Sequence, residues 1–161
     1  MKWRWLGLLC LMLAGCGYHL AGNGGQGVLH AGERVALVSE GLAPRYVAML
    51  RARLARDGIE VLDARRADAD AVLLVRQQPA RYVPSAYDRT GVATQYRMTL
   101  SGSVRIERAQ RTVWDSGAVQ ATGDVYVAGG PASVEASRAQ LEESLQRQWL
   151  RAVYARMKSG F

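Results

Sequence analysis

The sequence contains few of the residues from which disulfides, metal sites and catalytic centres are usually built. Of its 161 residues, two are cysteine and two are histidine. Both cysteines, Cys10 and Cys16, lie near the start, and both histidines, His19 and His30, lie in a glycine-rich stretch. A flexible backbone does not hold ligands or catalytic groups in the geometry that they need. We therefore expect no disulfide within the mature domain, no metal site, no cofactor and no catalytic triad.

Other signatures of enzyme chemistry are weak or missing. The sequence has no G-x-x-x-x-G-K phosphate-binding loop. Asp68 and Asp70 are spaced like a pair of catalytic carboxylates, but they border an apolar stretch and read better as the solvated entrance to a strand. The sequence therefore predicts a binding protein rather than an enzyme.

The one apolar run at the start of the chain is too short to span a bilayer. Lys2 and Arg4 precede the apolar residues 5–13, and the small residues Ala14 and Gly15 follow. A membrane-spanning helix needs about 20 apolar residues. A charged start, a short apolar middle and a small-residue end are typical of a secretory signal peptide. We predict that residues 1–15 are removed.

A cysteine follows this signal directly. Leu13-Ala14-Gly15-Cys16 resembles the lipobox of bacterial lipoproteins, which implies a diacylglyceryl group and an acylated amine, such as palmitate, on Cys16. Two or three acyl chains make a durable anchor without a membrane-spanning segment. In similar lipoproteins an aspartate after the cysteine favours retention in the inner membrane, whereas this chain has Gly17. We therefore expect an anchor in the inner leaflet of the outer membrane, with the protein on the periplasmic side.

The mature chain is basic, and its positive charge is almost entirely arginine. Without residues 1–15, 19 basic residues face 14 acidic ones, and Lys158 is the one lysine. Arginine suits bidentate capture of phosphate or carboxylate, although a GC-rich genome that uses arginine in place of lysine would give the same composition. In the envelope the polyanions within reach are phospholipid headgroups and phosphorylated lipopolysaccharide. We expect no nucleic-acid partner.

Hydrophobic periodicity predicts a tether followed by a single domain. Residues 16–32 are glycine-rich and predict a flexible, lipidated tether, and residues 33–161 predict one domain. The domain opens with an apolar strand at residues 34–39 and a helix that begins at Pro44 and is stopped by Gly58. Extended structure resumes at Ile59-Glu60-Val61-Leu62, and a strand at residues 71–76 completes a parallel β-α-β crossover.

The second half of the domain predicts a hairpin and a long helix. Residues 79–94 predict a long loop, and from Tyr96 apolar and polar residues alternate strictly to Ile106. Residues 112–127 predict another strand, in which Gly117 and Gly123 indicate bulges or close backbone approach. Beyond this strand Ser133 can cap the last helix, whose buried stripe is predicted to be Leu141, Leu145, Trp149, Ala152 and Val153.

These elements predict an α/β fold of the two-layer α+β sandwich type. Its order is β-α-β-β-β-α, with a four-stranded mixed sheet and both helices packed on one face.

Several strings along the mature chain carry a family resemblance. They are Cys16-Gly17-Tyr18-His19-Leu20 at the mature start, Pro44 at the first helix, Gly58-Ile59-Glu60-Val61-Leu62 after it, Gly91-x-x-x-x-Tyr96-x-Met98 entering the third strand, and Pro131 before the last helix. With the predicted element order, they make the chain similar to the LPS-assembly lipoprotein family, LptE, over essentially its whole mature length. The glycine-rich tether departs from the family pattern.

The resemblance implies a binding and assembly role. Members of this family plug a large outer-membrane β-barrel, LptD, and help to deliver lipopolysaccharide (LPS) to the outer leaflet. Carried over by position, the implied LPS-binding residues are Arg89 and one near Ser137 and Arg138, where the alignment is ambiguous by one residue.

The chemistry of the residues themselves is also compatible with contact to LPS or to a barrel. Arg81, Tyr82, Tyr87 and Arg89 combine guanidinium donors with aromatic edges, which suits a phosphorylated glycolipid or a barrel wall, although a merely exposed loop would look the same. Arg97 and Arg105 lie on the polar side of the alternating strand. That side suits contact with a wet barrel lumen, and an ordinary solvated sheet face would again look the same.

We thus take Arg81, Arg89 and Arg138 as candidate LPS-binding residues, and Tyr82, Tyr87, Arg97 and Arg105 as candidate barrel contacts. The alternative function is an accessory lipoprotein of another periplasmic lipid-transfer or secretion machine. A hydrolase subunit is a weaker alternative, because the chain offers no credible nucleophile and base.

Overall fold

The computed structural model describes residues 27–63, 67–127 and 131–160. The predicted signal peptide, Cys16 and most of the predicted tether lie outside these residues. Within the described ranges, neither helix has an apolar stretch of the length that crossing a membrane requires.

The fold consists of seven strands and two helices in the described part of the chain. The strands are β1 (Arg34–Glu40), β2 (Glu60–Asp63), β3 (Ala71–Gln77), β4 (Arg81–Tyr87), β5 (Ala93–Arg108), β6 (Arg111–Asp115) and β7 (Val119–Tyr126). The helices are α1 (Pro44–Arg56), between β1 and β2, and α2 (Pro131–Ser159), after β7. The prediction of a mixed α+β sheet with two helices is confirmed, but the predicted count of four strands is wrong.

The long strand β5 organises the sheet. Its 16 residues pair on one edge with β3 and then β4, and on the other edge with β6 and β7, all antiparallel. Beyond β3 the sheet continues through β1 to β2, and both of these pairings are parallel. The parallel pairing of β1 with β3 confirms the predicted β-α-β crossover.

The additional strands arise where the sequence signal for a strand is weak. The predicted loop at residues 79–94 is in fact the β4–β5 hairpin. Pro84 lies at the register shift of β4, where no ladder hydrogen bond from its nitrogen is needed. The predicted strand at residues 112–127 is divided into β6 and β7 at Gly117, whose φ of 62° is a left-handed conformation. The remaining strand, β2, has only four residues and lies where the sequence predicts extended structure, although not a strand of the sheet.

One face of the sheet forms the core, as the alternation in β5 predicts. Met98, Leu100, Val104 and Ile106 are all buried on this face, and the polar residues between them are not. Their neighbours on β1, β3 and β7 belong to the same hydrophobic cluster. Both helices cover this face, because their buried side chains join that cluster as well.

Helix α1 begins and ends as the sequence predicts. Pro44 occupies its first turn, where a missing N–H costs nothing. The helix ends at Arg56, and the Ile59 N–H donates to the Leu54 carbonyl at 3.1 Å as the chain turns. Its buried side chains are Tyr46, Leu50 and Leu54.

Helix α2 presents its predicted stripe to the sheet. Leu145, Trp149 and Val153 are buried, and the Trp149 indole N–H donates to the Val119 carbonyl at 3.0 Å. The helix approaches β7 so closely at Gly123 that a Cβ there would lie 2.6 Å from a Leu141 methyl group. The helix begins at Pro131, two residues before the predicted cap, so that prediction of its start is wrong.

The last residues of the predicted tether lie against the domain. The Val28 N–H donates to the Met157 carbonyl at 3.1 Å, and the Gly32 N–H donates to the Gly58 carbonyl at 2.7 Å. Val28 and Leu29 pack on the core. The Arg108 guanidinium, at the end of β5, binds both the Val28 carbonyl and the Glu33 carboxylate. The chain therefore enters the domain at the end of the sheet where β5 finishes.

Candidate ligand-binding site

The β4–β5 hairpin ends in a tightly hydrogen-bonded turn. The Asp88 carboxylate accepts hydrogen bonds from the backbone N–H groups of Thr90 and Val92, at 2.8 and 2.9 Å, and from the Thr90 hydroxyl at 2.7 Å. These bonds, that of the Thr90 hydroxyl above all, hold the pKa of Asp88 below its ordinary value. These hydrogen bonds therefore hold the turn in one defined conformation.

This turn displays Arg89. The Arg89 side chain is exposed, and within the described part of the chain it has no hydrogen-bond or ion-pair partner. Arg81, at the start of β4, is exposed and unpartnered in the same sense. Two guanidinium groups on one hairpin thus keep all their donors available to an external anion.

Arg138 lies against an aromatic pair. The rings of Tyr82 on β4 and Tyr96 on β5 stack at 4.7 Å between centroids, inclined by 7°. The Arg138 guanidinium, from α2, lies 4.7 Å from the centroid of the Tyr82 ring, a cation–π geometry. The same guanidinium is 3.6 Å from the Glu135 carboxylate.

The Tyr82 hydroxyl is an unusual part of this stack. It is buried and has no hydrogen-bond partner among the described residues. Burial raises the pKa of Tyr82, and the nearby Arg138 opposes that shift. The phenol is therefore held neutral beside a permanent positive charge.

Exposed apolar side chains concentrate at the same end of the sheet. Among the described residues, five of the seven large exposed hydrophobic side chains lie there: Val83, Tyr87, Val92, Tyr126 and Val127. The ladder places them together, because Tyr126 pairs with Gln95 and the Val127 N–H donates to the Thr94 carbonyl at 2.9 Å. Tyr87 and Tyr126 are the most exposed, at 61% and 67%. This end of the fold, which we call the tip, combines the free Arg89 with apolar surface.

The two predicted arginine sites lie at different points along the β4–β5 hairpin. Arg89 is on the hairpin turn, and Arg138 touches Tyr82, which pairs with Met98 farther along the same hairpin. The structure does not bring Arg89 and Arg138 into contact.

The predicted barrel contacts Arg97 and Arg105 are both neutralised on the polar face of the sheet. The Arg97 Nε donates to Asp124 on β7 at 2.9 Å, and the Arg105 Nε donates to Asp115 on β6 at 2.9 Å. The Arg97 guanidinium lowers the pKa of Asp124. The pKa of Asp115 is lowered first by the Gly117 N–H and then by Arg105. These arginines link β5 to its neighbouring strands, so a partner protein on this face would contact ion pairs rather than unpaired charges.

Two residues of the tip were missed by the sequence prediction. The alternation from Tyr96 to Ile106 predicts only that Tyr96 lies on the apolar side of its strand, and no pattern used above assigns a role to Asp88. The Asp88-x-Thr90-Gly91 spacing is a recognisable signal, since aspartate before threonine and glycine favours a side-chain-capped turn.

The acidic pair Asp68 and Asp70 has a structural role. Asp70 accepts from the Arg34 backbone N–H at 2.9 Å and from its guanidinium at 3.4 Å, where β1 and β3 begin. In the described ranges, no group of three or more metal-ligating side chains is assembled.

Solved structures share this fold. Lipoprotein B from Nitrosomonas europaea matches with a TM-score of 0.64 and 10% identity, over 75% of this chain and 79% of that one. Rare lipoprotein B from Shewanella oneidensis matches with a TM-score of 0.58 and 15% identity, over 78% and 90%. A minor lipoprotein from Acinetobacter baumannii matches with a TM-score of 0.56 and 10% identity, over 80% and 94%. No curated protein has a matching sequence at a significant level.

A family model extends the likeness from fold to sequence. The LptE model, described as lipopolysaccharide-assembly, matches residues 33–157, which include every described strand and nearly all of α2. The family resemblance drawn from the sequence strings is thereby confirmed. The chain belongs to the LptE lipopolysaccharide-assembly family.

Proposed function

We propose that this protein is a lipid-anchored, non-enzymatic component of an LPS translocon, which plugs and helps to assemble an LptD-type barrel in the outer membrane. In this proposal it takes part in delivering LPS to the outer leaflet and binds LPS at the tip. The carrying observation is that a rigid turn holds the unpartnered Arg89 among exposed apolar side chains.

The tip fits the chemistry of a phosphorylated glycolipid. Guanidinium groups bind phosphate oxygens through two parallel hydrogen bonds, and those on Arg81 and Arg89 are free to do so. Tyr87, Val92 and Tyr126 offer apolar and aromatic surface at the end of the hairpin that carries Arg89. A ligand with both anionic and apolar parts can contact the guanidinium groups and the apolar side chains, whereas a small inorganic anion can contact only the guanidinium groups.

The polar face of the sheet supports the plugging role. Ion pairs and hydroxyl groups cover this face of β5, so it can lie against a wet, polar wall without leaving a charge unpaired. Since Arg97 and Arg105 are already paired, we expect the face to fit such a wall by shape and hydrogen bonding.

The point where the chain enters the domain and the tip lie at opposite ends of β5. The chain enters the domain beside the end of β5, at Arg108, and the tip surrounds its beginning. A strand of 16 residues spans roughly 50 Å. With Cys16 held in the inner leaflet, the tip can therefore reach well away from the anchor.

In-cell photocrosslinking tests the proposal directly. A photoreactive residue placed at Arg81, Tyr87 or Arg89 should capture LPS or a barrel far larger than this chain. The same residue at Arg111, an exposed arginine at the opposite end of the sheet, is the matched control. Mass spectrometry of the mature protein should find a lipidated Cys16.

Two outcomes would contradict the proposal. One is the absence of both adducts from the tip. The other is normal surface LPS after depletion of the protein, which would favour an accessory role in a different periplasmic machine.

A further inference from the structure

We propose that a groove between the two helices binds the phosphate of an anionic phospholipid in the leaflet that holds the anchor. The groove has a volume of about 300 Å³ and lies between the second half of α1 and the second half of α2. It is separate from the tip. Arg138 and Arg151 are 13 residues apart on α2, which is about 20 Å along a helix.

Among the described residues, four arginines line this groove. Arg53 and Arg56 come from α1, and Arg147 and Arg151 come from α2. No carboxylate is among the described residues that line it. An anion in the groove would therefore meet concentrated positive charge from two elements.

Three of these guanidinium groups have no acidic partner in the described part of the chain. Arg147 is paired with Glu143 at 2.6 Å. Arg56 donates only to the Ala52 carbonyl, at 3.3 Å, and Arg151 has no partner among the described residues. Arg53 lies over the Tyr154 ring at 4.1 Å, which orients its guanidinium at the groove without neutralising it. The site is thus both charged and partly preorganised.

The floor of the groove is apolar. Leu50, Leu150 and Tyr154 are nearly or fully buried there, and Met49 is 48% exposed at its edge. An acidic peptide or a free phosphate would place charged groups against this apolar floor, which is unfavourable. A phospholipid places its phosphate among the arginines and its first methylenes on the floor, so the lining favours an amphiphile.

The position of the groove favours a phospholipid of the leaflet that holds the proposed anchor. The groove lies at the end of the domain where the chain enters, since Tyr154 also lines a neighbouring hollow with Leu29 and Ala31. Ten residues lie between Cys16 and Gly27, so the two can be at most about 40 Å apart. This step rests on the proposed lipid anchor at Cys16. An anchored domain would keep the groove within reach of the headgroups of that leaflet.

The experiment uses the full mature chain, anchored by its own lipid in nanodiscs of phosphatidylcholine mixed with phosphatidylglycerol. A photoreactive residue replaces the half-exposed Met49, and mass spectrometry identifies the lipid adducts. We expect phosphatidylglycerol to be enriched in the adducts well above its share of the bilayer. The Arg53→Gln and Arg151→Glu double variant should reduce that enrichment about tenfold.

Arg45→Glu is the matched control, because Arg45 is an exposed arginine of α1 outside the groove, and it should leave the enrichment unchanged. Adducts that mirror the bilayer composition would overturn the inference, as would a double variant without effect. Loss of the adducts when LPS is added would reassign the groove to that lipid. If the proposed lipid anchor at Cys16 is wrong, the protein will instead fail to remain associated with the nanodiscs.

Discussion

Gln77 and Gln146 form a reciprocal pair of hydrogen bonds inside the protein. The Gln77 amide donates to Gln146 at 3.0 Å, and the Gln146 amide donates back to Gln77 at 2.8 Å. Both side chains are buried, at the end of β3 and in the middle of α2. The pair joins the sheet to the long helix at one defined position, since neither amide is satisfied if α2 shifts along the sheet.

We predict that Gln146→Leu lowers the free energy of unfolding by about 1–3 kcal/mol, because it leaves the Gln77 amide buried without its partner. Urea unfolding followed by circular dichroism measures this. Gln148→Leu, two residues farther along α2 at an exposed position, should change the stability little. The double variant Gln77→Leu with Gln146→Leu should recover part of the loss, and a double variant as unstable as the sum of the single ones would show that the amides act independently.

We predict that Arg89→Glu weakens LPS binding while the domain remains folded. Arg89 is exposed and unpartnered in the described structure, so its replacement removes no internal contact. Loss of one phosphate contact and a new repulsion should reduce affinity about tenfold or more at physiological salt. LPS binding by the purified lipoprotein measures this, with Arg111→Glu as a variant of equal charge at the other end of the sheet. Equal affinity in both variants would remove Arg89 from the site.

We predict that Tyr82→Phe is neutral or stabilises the protein by up to about 1 kcal/mol. The substitution removes a buried hydroxyl that has no partner and keeps the ring that stacks on Tyr96 and carries Arg138. Tyr82→Ala should instead cost about 1–3 kcal/mol, because the stack is lost. Thermal unfolding of both variants decides this. A clear loss of stability in Tyr82→Phe would mean that the hydroxyl has a partner outside the described residues.

The sequence predicts well what depends on local periodicity. Alternation in β5 correctly divides its buried residues from its polar ones, and helical spacing identifies Leu145, Trp149 and Val153. Pro44 correctly marks the start of α1, because a proline at that position is a local rule.

What depends on register is not predicted. Arg97 and Asp124 form an ion pair although 27 positions separate them in the sequence, and the paired residues Gln77 and Gln146 are 69 positions apart. No local sequence pattern encodes either pairing. The sequence does not predict β4, because its proline is tolerated only on an edge strand or at a bulge, and both are products of strand pairing. The sequence therefore identifies Arg89 as a candidate but not the turn that holds it, and identifies Arg97 but not the partner that neutralises it.

The Asp88 turn should loosen in acid. The folded state holds the pKa of Asp88 below its ordinary value, so the carboxylate stabilises the turn fully at pH values above the ordinary pKa of aspartate, near 4. That stabilisation is lost as the pH falls through the lower pKa of the folded state, because the protonated acid accepts hydrogen bonds less well. The tip should therefore be ordered at neutral pH and become mobile only well below pH 4.

Amide chemical shifts of Thr90 and Val92, whose N–H groups donate to this carboxylate, measure the transition by NMR. We expect both shifts to titrate together, with a midpoint below that of an unperturbed aspartate. Asp88→Asn should abolish the titration and, since the amide oxygen is a weaker acceptor, should also reduce the affinity for LPS without altering Arg89. A midpoint at the ordinary aspartate value would mean that the turn does not depend on these hydrogen bonds, and Arg89 would then be displayed by a flexible loop.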